Sequence, residues 1–507
     1  MPNPILLIYP PISKACEPPP GLASIAGSLA FHNIPCNIID LNIESIQFLL
    51  GNKPATIEDT WTKRAYNNIH KHFNSLRDFS IYQKPDSYTR AVKDINRILE
   101  MSSHPIKISL TNYYDPHLSP IRSLDLLESM NVPEINPLYQ FWYSRLNDYV
   151  TLNKISGVGI SINFLNQAIC GFSVIGIIKR LCSDIPVWVG GGLITSWLKR
   201  YSHLKLFNQK NIYFVSGPGE PYLLDFFNVK TNYYIQLPNY DHIFHNQYLS
   251  PGFILPYSAS RGCYWRKCAF CPEYAEKTRY VPLSKNLVLQ HLNGLVKRYQ
   301  PSLIHFVDNA LSPKLLKEMI HHSPNVPWYG FSRITKHLTD PYFCHGLKQS
   351  GCVMLKLGIE SGDQNVLSHM NKGIDVSLAK KALQTIHESG IATYTYFLFG
   401  TPYETENSFY KTINFLCDNC QWIDFANLAI FNLPKHSADL EQLNIRPFYD
   451  GDLSLYVNFE HPFGLNRKKI RGLIKHIKSH PVISEIVKNN PLFFTSNHAP
   501  FFLFRNA

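Results

Sequence analysis

The sequence predicts an α/β chain with two parallel-sheet units, the second an incomplete (β/α)6 barrel, followed by a small helical C-terminal region. Three observations carry this. Six strand-then-helix patterns follow one another between residues 250 and 431. Five short apolar runs lie in the first 230 residues, two of them running into glycine-rich turns. Cys263, Asp308, Arg333, Glu360 and Glu404 each stand at or just past the end of a strand in the second series. The chemistry of barrel folds gathers at that end of the strands.

In the first unit, Ile5–Pro11 (ILLIYPP) reads as a strand, and 18–34 (PPPGLASIAGSLAFHNI) as a turn and helix. Pro35–Leu41, Gly157–Ile162, Pro186–Val189 and Asn211–Val215 are the further strands. Gly21 opens the first helix, Gly190, Gly191 and Gly192 follow the fourth strand, and Gly217, Gly219 and Glu220 follow the fifth. Glycine at successive strand ends lets a ligand approach the backbone. Residues 45–150 lack this pattern and read as a helical, aromatic-rich insertion. The unit is expected to span 1–230.

In the second unit, expected over 250–431, Ile254–Ser260 leads into the cysteine loop. Val288, Leu289, Leu292, Leu295, Val296 and Tyr299 share one face of the helix that follows. Ser302–Asp308 is the next strand, with Ser312 capping a helix whose expected buried side is Leu315, Leu316, Met319 and Ile320. Pro327–Arg333, Val353–Glu360, Ile391–Phe399 and Ile423–Phe431 are the remaining strands. Helices near 340–349, from Asp375 to Glu388 and over 405–416 join them. Residues 432–507 return to helix and loop.

The chain has 507 residues, a hydrophobic fraction of 45% and a net charge of +12. No run of about 18 apolar residues exists, so no membrane span is expected. The first residues read as a strand and not as a signal peptide. The eleven cysteines form no disulfide framework. A cytoplasmic location is expected. Arg261, Arg266, Lys267, Lys277 and Arg279 surround the cysteine loop and suit an anionic ligand. Arg467, Lys468, Lys469, Arg471, Lys475 and Lys478 read as a solvated helix face, and nucleic acid is not expected as a partner.

Cys263, Cys268 and Cys271 are spaced C-x4-C-x2-C. An iron–sulfur cluster is held by thiolates, and three from one loop leave one iron of a [4Fe–4S] cube without a protein ligand. A structural zinc site needs a fourth ligand, which does not follow nearby. Disulfides are disfavoured by the odd number. Cluster and zinc both stay open on spacing alone. Cys417 and Cys420 form a second C-x2-C and read as thiols without a metal.

Taken together, these residues resemble the radical S-adenosylmethionine (SAM) enzymes. The usual spacing there is C-x3-C-x2-C with an aromatic before the last cysteine. Phe270 matches that aromatic, and one extra residue separates the first two cysteines. Gly351–Gly373 and Tyr396–Phe409, with its G-x-P-x-E-T, are similar to the fourth- and fifth-strand segments. Residues 1–230 resemble the Rossmann-like cobalamin-binding domain that precedes the barrel in one large subclass. The D-x-H-x-x-G that supplies a lower histidine ligand is missing from the loop YPPISKACEPPPG. Pro18–Gly21 is then expected near the lower face of the corrin, with no histidine below the cobalt.

The resemblance implies that Cys263, Cys268 and Cys271 ligate three irons and that SAM chelates the fourth. One electron would then break the sulfonium bond, giving methionine and a 5′-deoxyadenosyl radical. It also implies roles for this chain's strand-end residues. Phe270 would flank the adenine, Glu360 and Ser361 the methionyl or ribose part, and Arg333 the SAM carboxylate. Gly400 and Glu404 would lie by the adenine, with Asp308 also at the barrel mouth. The glycines at 21, 190–192 and 217–219, with Glu220, would border cobalamin. The function implied is methylation of an unactivated carbon in a small molecule or peptide, with an electron donor such as flavodoxin or ferredoxin. A radical cyclase or rearrangement enzyme, an RNA-modifying enzyme and a redox sensor are the alternatives.

Overall fold

Parallel strands covered on both faces need continuous apolar runs, and the first unit has them. Strands β1 (Ile5–Tyr9), β2 (Cys36–Asp40), β3 (Gly157–Ser161), β4 (Val187–Gly190) and β5 (Ile212–Phe214) form a five-stranded parallel sheet. Every residue of β1 and β3 is buried. The helix Leu165–Leu181 is buried without a break from Gln167 to Ile178. The computed structural model describes residues 2–52, 57, 59–231, 235–447 and 450–504. It falls into two units, Met1–Phe253 with Asp450–Ser454, and Ile254–Tyr449 with Leu455–Ala507.

The first sheet has the order β2-β1-β3-β4-β5. The order reverses between β1 and β3. In an open α/β sheet that reversal opens a crevice beyond the carboxyl ends of the strands, where ligands bind. Between β2 and β3 stand the helices Leu41–Gly51, Thr60–Ser75, Pro85–Ser102, Ser123–Asn131 and Tyr139–Leu152, with a short antiparallel ladder at Lys107–Ile108 and Tyr113–Tyr114.

This unit continues past residue 230 to Phe253. Tyr240, Ile243, Tyr248 and Leu249 are buried, Tyr248 Oη donates to Asp40 at 2.7 Å, and Leu249 N donates to Ala15 O at 2.7 Å. Asp450–Ser454 also belongs to it. Asp452 accepts from Ser123 N at 2.8 Å, and Trp197 Nε1 donates to Leu453 O at 2.9 Å. These attachments run largely through backbone groups, which hydropathy does not register.

The second unit holds β6 (Ile254–Tyr257), then a short ladder of β7 (Ser260–Arg261) and β8 (Val281–Pro282), then β9 (Leu303–Leu311), β10 (Trp328–Ser332), β11 (Cys352–Glu360), β12 (Ala392–Phe399) and β13 (Phe425–Ile430). Six of these pair in parallel in the order β13-β12-β11-β10-β9-β6. Each is the neighbour of the next in sequence, as the predicted incomplete (β/α)6 barrel requires. Ser312 and Asp375 accept from Leu315 N and Leu378 N, as their N-cap positions predict.

The C-terminal region is less purely helical than its sequence suggests. Leu433–Pro434, Ile445–Pro447 and Tyr456–Phe459 form an antiparallel three-stranded sheet, in strands too short to show a period. In the helix Arg467–Ile477, Ile470, Ile474 and Ile477 are buried while Lys469 pairs with Glu406 at 2.5 Å, so the basic run is a solvated face. No helix among the described residues is long and apolar enough to cross a membrane.

A Cβ on Gly176, inside the helix Leu165–Leu181, would lie 2.0 Å from Met130 O. Backbone cannot yield as a flexible side chain does. Gly176→Val is therefore expected to lower unfolding free energy by about 2–3 kcal/mol. A urea titration checks this, and an unchanged midpoint would contradict the close packing of this helix.

Candidate functional site

The cysteine loop is closed at its root. β7 pairs with β8, and Leu283 N donates to Ala259 O at 2.9 Å, so residues 262–280 project as one loop. Gly262 has φ +72°, and a Cβ there would lie 2.6 Å from Arg279 O. Only glycine fits that crossing. Asp308, on β9, accepts from Ala259 N at 2.9 Å and from Ser260 Oγ at 2.5 Å. Burial pushes its carboxyl up to about 6, against the pull of those hydrogen bonds. Both oxygens thus brace the root of the loop.

The far side of the loop docks on the turn at 370–373. Ala269 N donates to Met370 O at 2.9 Å, and Trp265 Nε1 to Asn371 O at 3.0 Å. A Cβ on Gly373 would lie 2.0 Å from the Trp265 ring. Arg333, the first residue past β10, is buried with its guanidinium 4.1 Å from the centre of the same ring. It donates to Cys268 Sγ at 3.6 Å and to Lys372 O. The guanidinium expected to meet a carboxylate of SAM thus has protein partners on the loop.

Glu360 ends β11 with φ +72° and pairs with Lys372 Nζ at 2.6 Å, both side chains buried. Gly358 leaves room for the pair, since a Cβ there would lie 2.3 Å from Glu360 Oε1. Lys372 Nζ is also 5.4 Å from the centre of the Phe270 ring. Ser361 Oγ accepts from Asp363 N at 3.1 Å and meets Thr412 Oγ1 at 3.1 Å, which fixes the turn after β11. Sequence reasoning missed Trp265 and Lys372. The signal available was an aromatic between the first two cysteines and a lysine in the Asn371-Lys372-Gly373 turn.

The three thiols are free of disulfides. Burial raises the Cys268 thiol, opposed by the charges of Lys372 and Arg333. Burial pushes Cys271 up to about 11, opposed by the backbone N–H groups of Tyr274 and Glu273. Among the described residues no three His, Cys, Asp or Glu side chains converge as a metal-holding group. The fit to an iron–sulfur cluster therefore rests on donor chemistry. Three soft sulfur ligands share one closed loop, and buried cations face one of them. Cys417 lies 4.0 Å from His480 Nδ1, on another part of the unit.

At the end of β12, Glu404 is fully buried. One carboxylate oxygen accepts from Gly400 N, and Oε1 has no hydrogen-bond partner. Burial pushes this carboxyl up to about 7. An orphaned buried oxygen is a place for an N–H or O–H donor. Ile470 covers Gly400, at 3.3 Å from where its Cβ would stand. A cavity of about 620 Å³ lies beside the cysteine loop, lined in part by Tyr264, Trp265, Lys267, Arg333 and Lys336. It has the size of a ligand pocket.

In the first unit the glycines divide. Gly191 has φ +108°, and its Cβ would lie 2.4 Å from Ile162 O. A Cβ on Gly219 would lie 3.0 Å from Ile25 Cδ1, and Glu220 accepts from Ser24 Oγ at 2.7 Å. Packing accounts for these three. Around Gly190 and Gly192 nothing comes nearer than 3.8 Å, and around Gly21 and Gly217 nothing lies within 4 Å. These four leave open space at the carboxyl edge of the sheet, and that space is the feature that fits a bulky planar cofactor.

Residues 257–416 match the Radical SAM superfamily. The chain is 27% identical over 175 residues to the bacteriochlorophyllide d C-12(1)-methyltransferase of Chlorobaculum tepidum, covering 33% of this chain and 38% of that protein. It is 26% identical over 190 residues to the anaerobic magnesium-protoporphyrin IX monomethyl ester cyclase of Rubrivivax gelatinosus, covering 36% and 33%. The matched segments thus span well under half of these relatives. Among solved structures, the cobalamin-dependent SAM radical enzyme OxsB is similar in fold, with a TM-score of 0.52, 12% identity and coverage of 82% of this chain and 52% of that one. The radical SAM methyltransferase TsrM from Kitasatospora setae, with cobalamin and a [4Fe–4S] cluster bound, gives 0.53, 15%, 86% and 74%.

The raised carboxyl of Glu404 sets a pH dependence. Its ordinary value is 4.5 and its folded value about 7. The stabilising contribution of the protonated form is complete below 4.5 and is lost as pH rises through about 7. Glu404→Gln keeps an acceptor for Gly400 N–H and does not titrate. Between those two pH values the wild type should lose about 2 kcal/mol relative to the variant. Denaturant titrations at both pH values check this, and parallel pH curves would contradict it.

Proposed function

Because residues 257–416 belong to the radical SAM superfamily, we propose that the chain cleaves SAM reductively at a [4Fe–4S] cluster and is a cobalamin-dependent methyltransferase acting on an unactivated carbon of a small molecule or peptide. The carrying observation is the closed loop after β6 with its three free thiols and the Arg333 guanidinium on Cys268. When bound, the cluster supplies the electron that breaks a C–S bond of SAM, and cobalamin carries the methyl group.

The chain's own residues position and shield. Cys263, Cys268 and Cys271 hold the three irons. The clasp of β7, β8 and Asp308 fixes the root of their loop, and Trp265 fixes its far side. Phe270 offers a ring beside the cluster site for the adenine. Glu404 Oε1 receives a donor from SAM. Glu360 and Lys372 neutralise each other and present a polar wall without net charge. In the first unit, Gly21, Gly190, Gly192 and Gly217 make room for cobalamin at the carboxyl edge of the sheet. The substrate and a one-electron donor are partners of this reading. A radical cyclisation is the second reading, favoured by the similar identity to a cyclase and to a methyltransferase.

Anaerobic reconstitution should give about four irons per chain. Replacing Cys263, Cys268 and Cys271 together by alanine should remove them, while Cys417→Ala with Cys420→Ala should leave them. With dithionite and SAM, 5′-deoxyadenosine should appear. Zinc in place of iron, or iron unaffected by the triple replacement, would sink the reading.

Cobalamin has its own test. Gly21 is exposed and a Cβ there would meet no protein atom within 4 Å, so Gly21→Leu should leave thermal stability unchanged. It should nevertheless reduce cobalamin retained on gel filtration, with iron content unaltered. The cob(II)alamin resonance spectrum of the wild type should lack the splitting of an imidazole nitrogen. Equal retention by wild type and variant would contradict the placement.

A further inference from the structure

We propose that Arg333 is a positioning residue that raises the reduction potential of the iron–sulfur centre, through the N–H it donates to Cys268 Sγ and with Trp265 holding its guanidinium plane. This rests on the cluster reading above. The observations are independent of it. Arg333 is 7% exposed, and its guanidinium lies 4.1 Å from the Trp265 ring centre and 3.6 Å from Cys268 Sγ. A further N–H reaches Lys372 O. Ring, sulfur and carbonyl fix the plane from three directions, as suits a rigid fork of donors.

The neighbouring cation reaches Cys268 through its charge, whereas the hydrogen bond to that sulfur comes from Arg333. Lys372 pairs with Glu360 at 2.6 Å, so its charge is offset by a buried carboxylate. Arg333 forms no ion pair with a carboxylate among the described residues. Adding an electron to the centre places more negative charge on its sulfurs. A fixed N–H and a positive charge at one sulfur stabilise that reduced form more than the oxidised one. Hydrogen bonds to the sulfurs and net charge are levers that set such potentials. Burial keeps the effect from being screened by water.

The test uses the full chain, reconstituted anaerobically and titrated with dithionite, the reduced fraction being read by paramagnetic resonance and iron by chemical analysis. Arg333→Gln should retain its iron. At the wild-type midpoint its reduced-to-oxidised ratio should fall about tenfold, which is ~59 mV for one electron. Trp265→Ala should shift the ratio the same way by less. The double variant should shift it no further than Arg333→Gln alone, the mark of coupled residues. Arg333→Lys should fall between, because one ammonium cannot serve ring, sulfur and carbonyl together. An Arg333→Gln centre with iron intact and midpoint unchanged overturns the proposal. Should that variant lose iron, an unchanged midpoint in Trp265→Ala overturns it, and loss of iron in all variants makes the pair a structural prop instead. Wild type that takes up no iron removes the cluster reading itself, a separate failure.

Discussion

The closure of one loop governs the second unit. Three thiols on 262–280 are useful only if the loop cannot wander, and a loop of this length orders at an entropic cost. The ladder of β7 and β8 supplies the closure at the root, and Asp308 ties that root to β9. Trp265 and Ala269 supply it at the far side, through Asn371 O and Met370 O. Gly262 and Gly373 are the places where the backbone or ring comes too close for a Cβ. The strand order of the sheet brings β9 beside β6, which is why an aspartate some 50 residues downstream can reach the loop.

The charges at the barrel mouth follow from that closure. Burying an ion without a partner is costly, so each is paired or bonded. Glu360 has Lys372, Asp308 has a backbone N–H and a hydroxyl, and Arg333 has a sulfur, a carbonyl and a ring face. Glu404 departs from this, with one buried oxygen bonded and the other bare. The bare oxygen is thus open to an N–H or O–H donor.

The strands were legible because parallel, doubly covered strands are short apolar runs with turn residues at their ends. Val353–Glu360 and Ile391–Phe399 were read to within a residue of the observed bounds. The polar residues at strand ends were legible as positions and not as directions. Asp308 turns back to Ala259, and Arg333 reaches toward Cys268, because side-chain direction depends on which loop packs above the strand. Trp265 and Lys372 were hidden for the same reason, each deriving its role from a residue about 100 positions away or from a turn. Asp450–Ser454 was illegible outright, since five residues in a C-terminal stretch give no hint that they belong to the first unit.

The glycines of the first unit show how far a motif can carry an argument. Gly190, Gly191 and Gly192 look alike in sequence, yet Gly191 is demanded by Ile162 O and its neighbours are not demanded by anything in the chain. A glycine that packing explains says nothing about a ligand. One with open space around it, at the carboxyl edge of a sheet and beside a reversal of strand order, is left with fewer protein reasons to be glycine. Gly21 is of that kind, whereas Gly217, open as it is, has φ +83°, which itself favours glycine. Although they follow β1 and β5 in sequence, the two turns lie close together, since Ser24 Oγ donates to Glu220 at 2.7 Å and a Cβ on Gly219 would lie 3.0 Å from Ile25. The cofactor placement proposed for this edge thus rests on the open space at Gly21 beside the turn after β5, and not on the number of glycines.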